Sequence, residues 1–413
     1  MLAIKRRAIH MRTYWGIWIF PALFSCTVAF SQGLTLDSLI RMGIRNNPDL
    51  LVSKLEGEVT ASDTLAAAVF NNPTLGFEAG YNVTDPSKPK ASVRLSKELQ
   101  PGLRANRSQV SKATLAATSQ SQKSRELEIA LEIRSAYFKW QILSHKKALQ
   151  KEVEKRWETL SRIASAKVQE GRLSQVDEAQ AQLNRAKASQ KAMEFQTEME
   201  SVEKLLAYLT GMENHDSIAI YSIEIPPEVL PLDSLSKWAL GENADLKTLN
   251  LDIETQKRKL DLEKSLRNPP LTFSIGYDKE TDGTNVVGGG LEFPVPFFNR
   301  NQVGLAKSRA EMRLAESRRA ASEARLKTEI AELYARLTRL GERYQTYQKE
   351  IRALSGRQLD LSEKGFLQGK LGIFDLSRVQ EEFVSQEQDA LDILDAYYDQ
   401  WNRLGKAVGG KTW

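Results

Sequence analysis

The sequence predicts a mainly α fold with a small β part, in which long antiparallel coiled-coil helices carry four short amphipathic strands. Three observations carry this expectation. No proline stands between Pro101 and Pro226 or after Pro296, and Gly171 is the only glycine between Gly102 and Gly211. Proline and glycine are the strongest helix breakers, so two very long helical stretches are permitted. The 413-residue chain also aligns with itself: Leu36-Asp37-Ser38-Leu39 matches Leu232-Asp233-Ser234-Leu235, Asn47 matches Asn243, Asn72-Pro73 matches Asn268-Pro269 and Arg104 matches Arg300, all at an offset of 196 residues. Gly171 and Asp177 then match Gly369 and Asp375 at an offset of 198, so one structural unit occurs twice. Finally, each copy holds a pair of segments that alternate apolar and polar residues, the period of a strand with two unlike faces.

Residues 1–31 carry Lys5, Arg6, Arg7 and Arg12 with no acid, then an apolar run from Tyr14 to Phe30 and small residues at Ala29 and Ser31. This reads as a secretory signal peptide. Two alternatives stand beside it: an uncleaved anchor, in which Pro21 interrupts the apolar run, and a lipoprotein acylated on Cys26, for which Phe24 is a poor fit. These residues hold four of the five net positive charges. The nucleic-acid partner that a basic balance suggests is thereby excluded. One cysteine and three histidines exclude a disulfide framework and a Cys/His zinc site. No run of about 18 apolar residues follows Gln32, so no transmembrane helix is expected.

The first repeat, 32–213, reads as a helix capped by Thr35 and running to about Phe70, a strand pair at 73–99, a long helix at 104–170 and a helix at 174–211. Ile129, Ile133, Ala136, Trp140 and Leu143 are spaced as a seam against another helix. At 1.5 Å per residue the long helix spans roughly 100 Å, so equally long partners must lie beside it. The pre-strand helix and the post-turn helix, end to end, match that length. A linker at 214–231 with Pro226, Pro227 and Pro231 leads to the second repeat, 232–413: a helix, a strand pair at 270–296, a long helix and a helix at 373–408.

In the strands, Leu75, Phe77, Ala79 and Tyr81 share one face, opposite Thr74, Gly76, Glu78 and Gly80. Val93, Leu95 and Leu99 continue the pattern after a turn-rich loop at Asp85–Pro89. Leu271, Phe273, Ile275 and Tyr277, then Leu291, Phe293 and Val295, repeat it. Strands of ~9–11 residues, apolar on one face, suit a membrane β-barrel; a two-stranded flap on a soluble coiled coil is the alternative. Four strands cannot close a barrel, and open edges are not tolerated in lipid. On the membrane reading several chains pool strands, and three copies would supply twelve around a through-channel.

On the Leu34-Thr35-Leu36 start, Asn46-Asn47-Pro48-Asp49-Leu50, Asn72-Pro73-Thr74-Leu75 and the turns Gly171-Arg172-Leu173-Ser174 and Gly369-Lys370-Leu371-Gly372, the sequence resembles the TolC family of outer-membrane efflux proteins. The resemblance covers nearly all of residues 34–408. The compact length looks more like the subgroup serving heavy-metal exporters. The resemblance implies a homotrimer with a barrel in outer-membrane lipid of a Gram-negative-type cell and a helical tunnel in the periplasm. It also implies a periplasmic adaptor (membrane fusion) protein and an inner-membrane efflux pump as partners. A periplasmic coiled-coil scaffold without a channel is the competing function.

The same resemblance places adaptor docking at the turns, through Gly171, Arg172, Leu173 and Ser174 and through Gly369, Lys370, Leu371 and Gly372. Glycine as a plain left-handed helix stop explains part of the pattern equally well. It also places Asp375, and less clearly Asp177, at the tunnel entrance, where three copies would form an acidic ring. Ser174-x-x-Asp177 is equally a capping-box spacing. Arg378 stands where some relatives carry a second acid, and an Arg378–Asp375 pair could latch a closed state. Trp140, Trp157, Tyr334, Tyr397 and Tyr398 read as packing, and His145 and His215 as surface residues. The methionines do not cluster, and Gly288-Gly289-Gly290 is strand and turn. No nucleophile elbow, phosphate loop or paired acid site occurs, so no enzyme, cofactor or metal site is expected.

Overall fold

In the computed structural model of this chain, the described residues are 34–82, 85–212, 230–280 and 282–410, with Ile218, Ile220 and Ile225 of the linker. The signal-peptide reading, Cys26 and His215 lie outside them. Among the described residues the fold is helical with one four-stranded sheet.

Each repeat opens with a helix broken in two, where the sequence suggests one helix to about Phe70. Thr35 caps α1 (Leu36–Asn46), its Oγ1 accepting from the Ser38 N–H, but the helix stops at Asn47 and α2 (Pro48–Ala68) begins anew. Asn47 is extended, with ψ 128°, and its Oδ1 accepts from the N–H groups of Asp49 and Leu50 at 2.9 and 3.2 Å. Its Nδ2 donates to the Leu209 carbonyl at 3.0 Å. Pro48 adds no cost at the first helical position, where its missing N–H has no partner to lose. The second repeat breaks identically without a proline. There α5 (Leu232–Glu242) and α6 (Ala244–Ser265) flank Asn243, whose Oδ1 accepts from Leu246 N–H and whose Nδ2 donates to the Ala407 carbonyl, both at 2.9 Å. The asparagine makes the break.

The long helix of the first repeat is α3 (Leu103–Gln169), of 67 residues. It packs on α2 and on α4 (Gln175–Thr210), which lie end to end along it. In the second repeat α7 (Gln302–Thr346) and α8 (Arg352–Leu367) are joined by a π-helical turn, Tyr347–Ile351, and the return helix is α9 (Ile373–Ala407). The π turn has a cause legible in the buried positions. Ile129, Ile133, Ala136 and Trp140 match Leu326, Ile330, Leu333 and Leu337 at an offset of 197, whereas Trp157 and Ala164 match Ser355 and Ser362 at 198. One residue has been added between them. The Arg352 N–H accordingly bonds the Tyr347 carbonyl, five residues back instead of four. The turn takes up the extra residue, and the buried seam stays on one face on either side of it.

Each helix break sits in its own core. Leu39, Leu50, Ile129, Ile133, Leu206 and Leu209 surround the first; Leu235, Leu246, Ile330, Leu337, Trp401 and Leu404 surround the second. A third core at the far end is shared by both repeats, with Trp157, Leu160, Ala164, Leu359, Phe366 and Leu376. Between the repeats, α3 meets α9 through Lys139–Asp395 (2.6 Å), Lys406–Glu128 (2.7 Å) and a stacked Phe138–Tyr398 pair 3.9 Å apart. The hydrogen bond from Lys406 holds the Glu128 carboxyl below the usual carboxylate range. Trp157 and Tyr397 are buried in these cores, Trp140 in a further cluster with Leu143, Phe195 and Met199, and Tyr398 is also buried, while His145 is half-buried rather than a surface residue.

The strands β1 (Thr74–Asn82), β2 (Asp85–Leu99), β3 (Leu271–Lys279) and β4 (Asn285–Glu292) form one antiparallel sheet in sequence order. Residues 85–89, expected as a loop, belong to β2, with Pro89 opposite Tyr81. They lie past the last β2–β3 pair, Ala91 with Lys279, so β2 has a neighbour on one side only and a missing N–H is tolerated. Phe293 and Val295, expected in the fourth strand, lie beyond its end at Glu292, because Pro294 and Pro296 offer no N–H to a ladder.

Candidate functional site

The sheet presents its apolar side chains outward. Phe77, Val93 and Tyr277 pair across three strands, as do Leu75, Leu95 and Ile275. Phe77 is 75% and Ile275 58% exposed, while Ser274, Gly276 and Asp278 on the opposite face of β3 are half-buried. The opposite face is polar: Glu78, Ser92 and Asp278 form one row, and Gly76, Arg94 and Gly276 the next. Arg94 lies across Gly276, where a Cβ would stand 3.7 Å from its Nε. Strands β1 and β4 are both edges of the sheet. This is the reverse of a water-soluble sheet, which hides apolar residues.

At the far end the two turns are built alike. Gly171 and Gly369 have φ of 73° and 74°. The N–H groups of Arg172 and Lys370 return to the carbonyls of Lys167 and Gly365, both at 2.8 Å, so glycine ends each helix in the left-handed conformation. Leu173 is half-buried against the shared core, and Leu371 covers Gly365, where a Cβ would meet its Cδ1 at 2.9 Å. Arg172 is exposed beside Glu170 at 3.3 Å, and Lys370 is exposed. The apolar members therefore serve packing in part, while the cations face solvent.

The two acids differ. Asp177 closes a capping box: its Oδ2 accepts from the Ser174 N–H at 3.0 Å, and Ser174 Oγ accepts from the Asp177 N–H at 3.2 Å. In the second repeat Gly372 replaces the serine and offers no side-chain cap. Asp375 and Arg378 are both exposed, and among the described residues no ion pair joins them.

One residue that sequence reasoning did not single out brings the turns together. Lys167 Nζ donates to the carbonyls of Phe366 and Leu367 at 3.0 and 3.1 Å and lies 5.0 Å from the Phe366 ring centroid. A cation in a last helical turn is an ordinary pattern; its acceptors here end a different helix, about 200 positions away, and no local signal reports them. Replacing Lys167 with methionine is expected to cost roughly 1–2 kcal/mol. It should also speed tryptic cleavage after Arg172 and Lys370. Unchanged cleavage rates at both bonds would remove Lys167 from this role.

Among the described residues no group of His, Cys, Asp and Glu could hold a metal ion, and no helix is long and apolar enough to cross a membrane. A β-barrel is untouched by the second statement. Comparison with curated protein sequences gives no significant match. Solved structures do match. CusC, crystallised in a study of folding and transmembrane channel formation, is similar with a TM-score of 0.76 at 15% identity over 91% of this chain and 92% of that one. The CmeC outer membrane channel of Campylobacter jejuni gives a TM-score of 0.74 at 15% identity over 91% and 85%. VceC, an outer membrane protein of Vibrio cholerae, gives 0.74 at 15% identity over 91% and 96%. The family model for outer membrane efflux proteins matches residues 39–212 and 235–410, one span in each repeat. With both repeats matched and the outward apolar sheet in place, this chain belongs to the outer membrane efflux protein family.

Proposed function

We propose that this chain is the exit duct of a tripartite efflux system, a passive conduit for substrates handed on by an inner-membrane pump through a periplasmic adaptor. The observation that carries the reading is the sheet: four strands, two open edges and an apolar outer face. In lipid every edge must be paired. Three copies pooling their sheets close a twelve-stranded barrel, and the long helices of the same copies line a tunnel below it. The polar face with Glu78, Arg94 and Asp278 then borders water. Adaptor docking falls to the exposed tip residues Gly171, Arg172, Ser174, Gly369, Lys370 and Gly372, beside Leu173 and Leu371. A soluble scaffold would leave Phe77 and Tyr81, 75% and 70% exposed, in water without compensation. The duct carries no catalysis of its own, and its cargo follows from the pump.

Fractionation and planar-bilayer recording test the duct: membrane-bound protein with discrete channel events is expected, and purely soluble, non-conducting protein would refute it. For the tip, Asp375→Asn is expected to raise conductance or weaken block by multivalent cations, because a ring of three exposed carboxylates is removed. If neither changes, Asp375 does not control the entrance. Asp177→Asn is expected to act on stability instead, by about 0.5–1 kcal/mol, since its carboxylate is engaged in the cap.

A further inference from the structure

Where α2 ends and the sheet begins, the surface holds a cavity of about 300 Å³ in which Lys97, Arg104 and Arg107 face Val69, Phe70 and Leu99. The Arg104 guanidinium lies 4.2 Å and the Lys97 ammonium 5.9 Å from the Phe70 ring centroid. Arg104 Nη1 also donates to the Ala68 carbonyl at 3.1 Å, and Lys97 donates to the Asn71 carbonyl. Each cation keeps further N–H donors for another acceptor. Arg107 is exposed and has no ion pair among the described residues. Glu98 is the single acid lining the cavity.

This cluster is particular to the first repeat. At the repeat offset of 196, Lys97 and Arg107 correspond to Phe293 and Val303, and only Arg104 keeps a cationic counterpart, Arg300. The second repeat joins sheet to helix through a longer stretch, 293–301, in which Arg300 is the one cation. The cations also crowd the start of α3, whose cap Gly102 offers no side chain and whose first turn holds no acid. Positive charge there opposes the helix dipole, so an added anion is favoured. The neighbouring wall is apolar and open, with Val69 68%, Phe70 61% and Leu99 43% exposed.

We infer that this cavity binds the phosphodiester of a membrane phospholipid, with its acyl chains along Val69, Phe70 and Leu99. The inference rests on the proposed placement of the sheet in lipid, which puts the foot of the strands at the headgroup level. Cations supply the phosphate contacts, and the apolar wall distinguishes a lipid from a free anion.

Native mass spectrometry of the full chain in detergent, with dioleoylphosphatidylglycerol as probe, tests it. One retained lipid per chain is expected. The Lys97→Gln/Arg104→Gln/Arg107→Gln variant should bind ~100-fold more weakly, and Arg107→Gln alone about fivefold, from the usual worth of one cation near an anionic headgroup. The single variant removes no described internal contact, so it serves even if the triple variant does not fold. Dioleoylglycerol, which has the chains without the phosphate, should not be retained, and inorganic phosphate should not displace the lipid. Unweakened binding by Arg107→Gln, equal retention of dioleoylglycerol, or displacement by inorganic phosphate each overturns the inference. Planar-bilayer conductance reads the duct separately: a conducting protein that retains no lipid refutes this site alone, and a lipid-retaining protein that does not conduct refutes the duct alone.

Discussion

Replacing Asn47 with alanine is expected to lower stability by about 2–4 kcal/mol, and Asn243→Ala by a similar amount. Each asparagine is almost fully buried, 1% and 5% exposed, and each performs two tasks at once. Its Oδ1 caps the second helix segment, a loss of about 1 kcal/mol when removed. Its Nδ2 satisfies a buried carbonyl, of Leu209 or Ala407, which alanine would leave unpaired at a further cost of about 1–3 kcal/mol. Water cannot easily substitute, because the opposing chain is in close contact. Gly211 and Gly409 have φ of 66° and 80°, and a Cβ on them would lie 2.8 and 2.3 Å from the carbonyl oxygens of Asn46 and Glu242. Thermal unfolding followed by circular dichroism checks the expectation, with Pro48→Ala as the contrast. If Pro48→Ala costs more than Asn47→Ala, the proline and not the asparagine makes the break.

The same positions show what the sequence could and could not disclose. The repeat, the four strands and the long helices rest on periodicity and on the spacing of proline and glycine, which are local or self-similar signals. Outward apolar residues in the sheet are legible for the same reason, since alternation gives two faces and the lack of a second layer leaves one of them unburied. Asn47 and Asn243 were visible as a repeated pair, yet the apolar pattern runs through them, and their carbonyl partners lie 162 and 164 positions away. Only the fold brings those together. Lys167 is of the same kind. The turns at Gly171 and Gly369 were readable because a left-handed cap needs glycine whatever surrounds it. Asp177 and Asp375 match at the repeat offset, and the Ser174-x-x-Asp177 spacing already points to a cap for the first; the fold shows that cap formed and, with Gly372 in place of the serine, leaves Asp375 to solvent. Asp85–Pro89 is rich in turn formers, which predicts a loop, whereas past the end of β3 the unpaired side of β2 accepts such residues in a strand.

Deleting Lys349 from the π turn is expected to cost at most about 1 kcal/mol, whereas deleting Lys155 from α3 should cost roughly 5 kcal/mol or more. Both lysines are exposed, so lost side-chain contacts do not separate them. The difference lies in what each helix can absorb. α3 has no slack, and removing one residue rotates everything beyond it by about 100°. Trp157, Leu160 and Ala164, at most 6% exposed, would then leave the shared core. In the second repeat the seam changes offset from 197 to 198 across the π turn, so removing one residue there restores a plain α-helix with Leu337 and Leu359 still in phase. The local loss is the hydrogen bond of the buried Tyr347 hydroxyl to the Glu387 carboxylate; burial first, and this bond second, push the phenol above its ordinary range. Equal damage from the two deletions would show that the π turn is not slack. The turn borders a cavity of about 500 Å³ lined by His145, Tyr344, Arg352 and Leu394, leaving room beside the π-wound segment. A stable Lys349 deletion with altered bilayer conductance would therefore assign that extra residue to movement of the tip rather than to assembly of the helices.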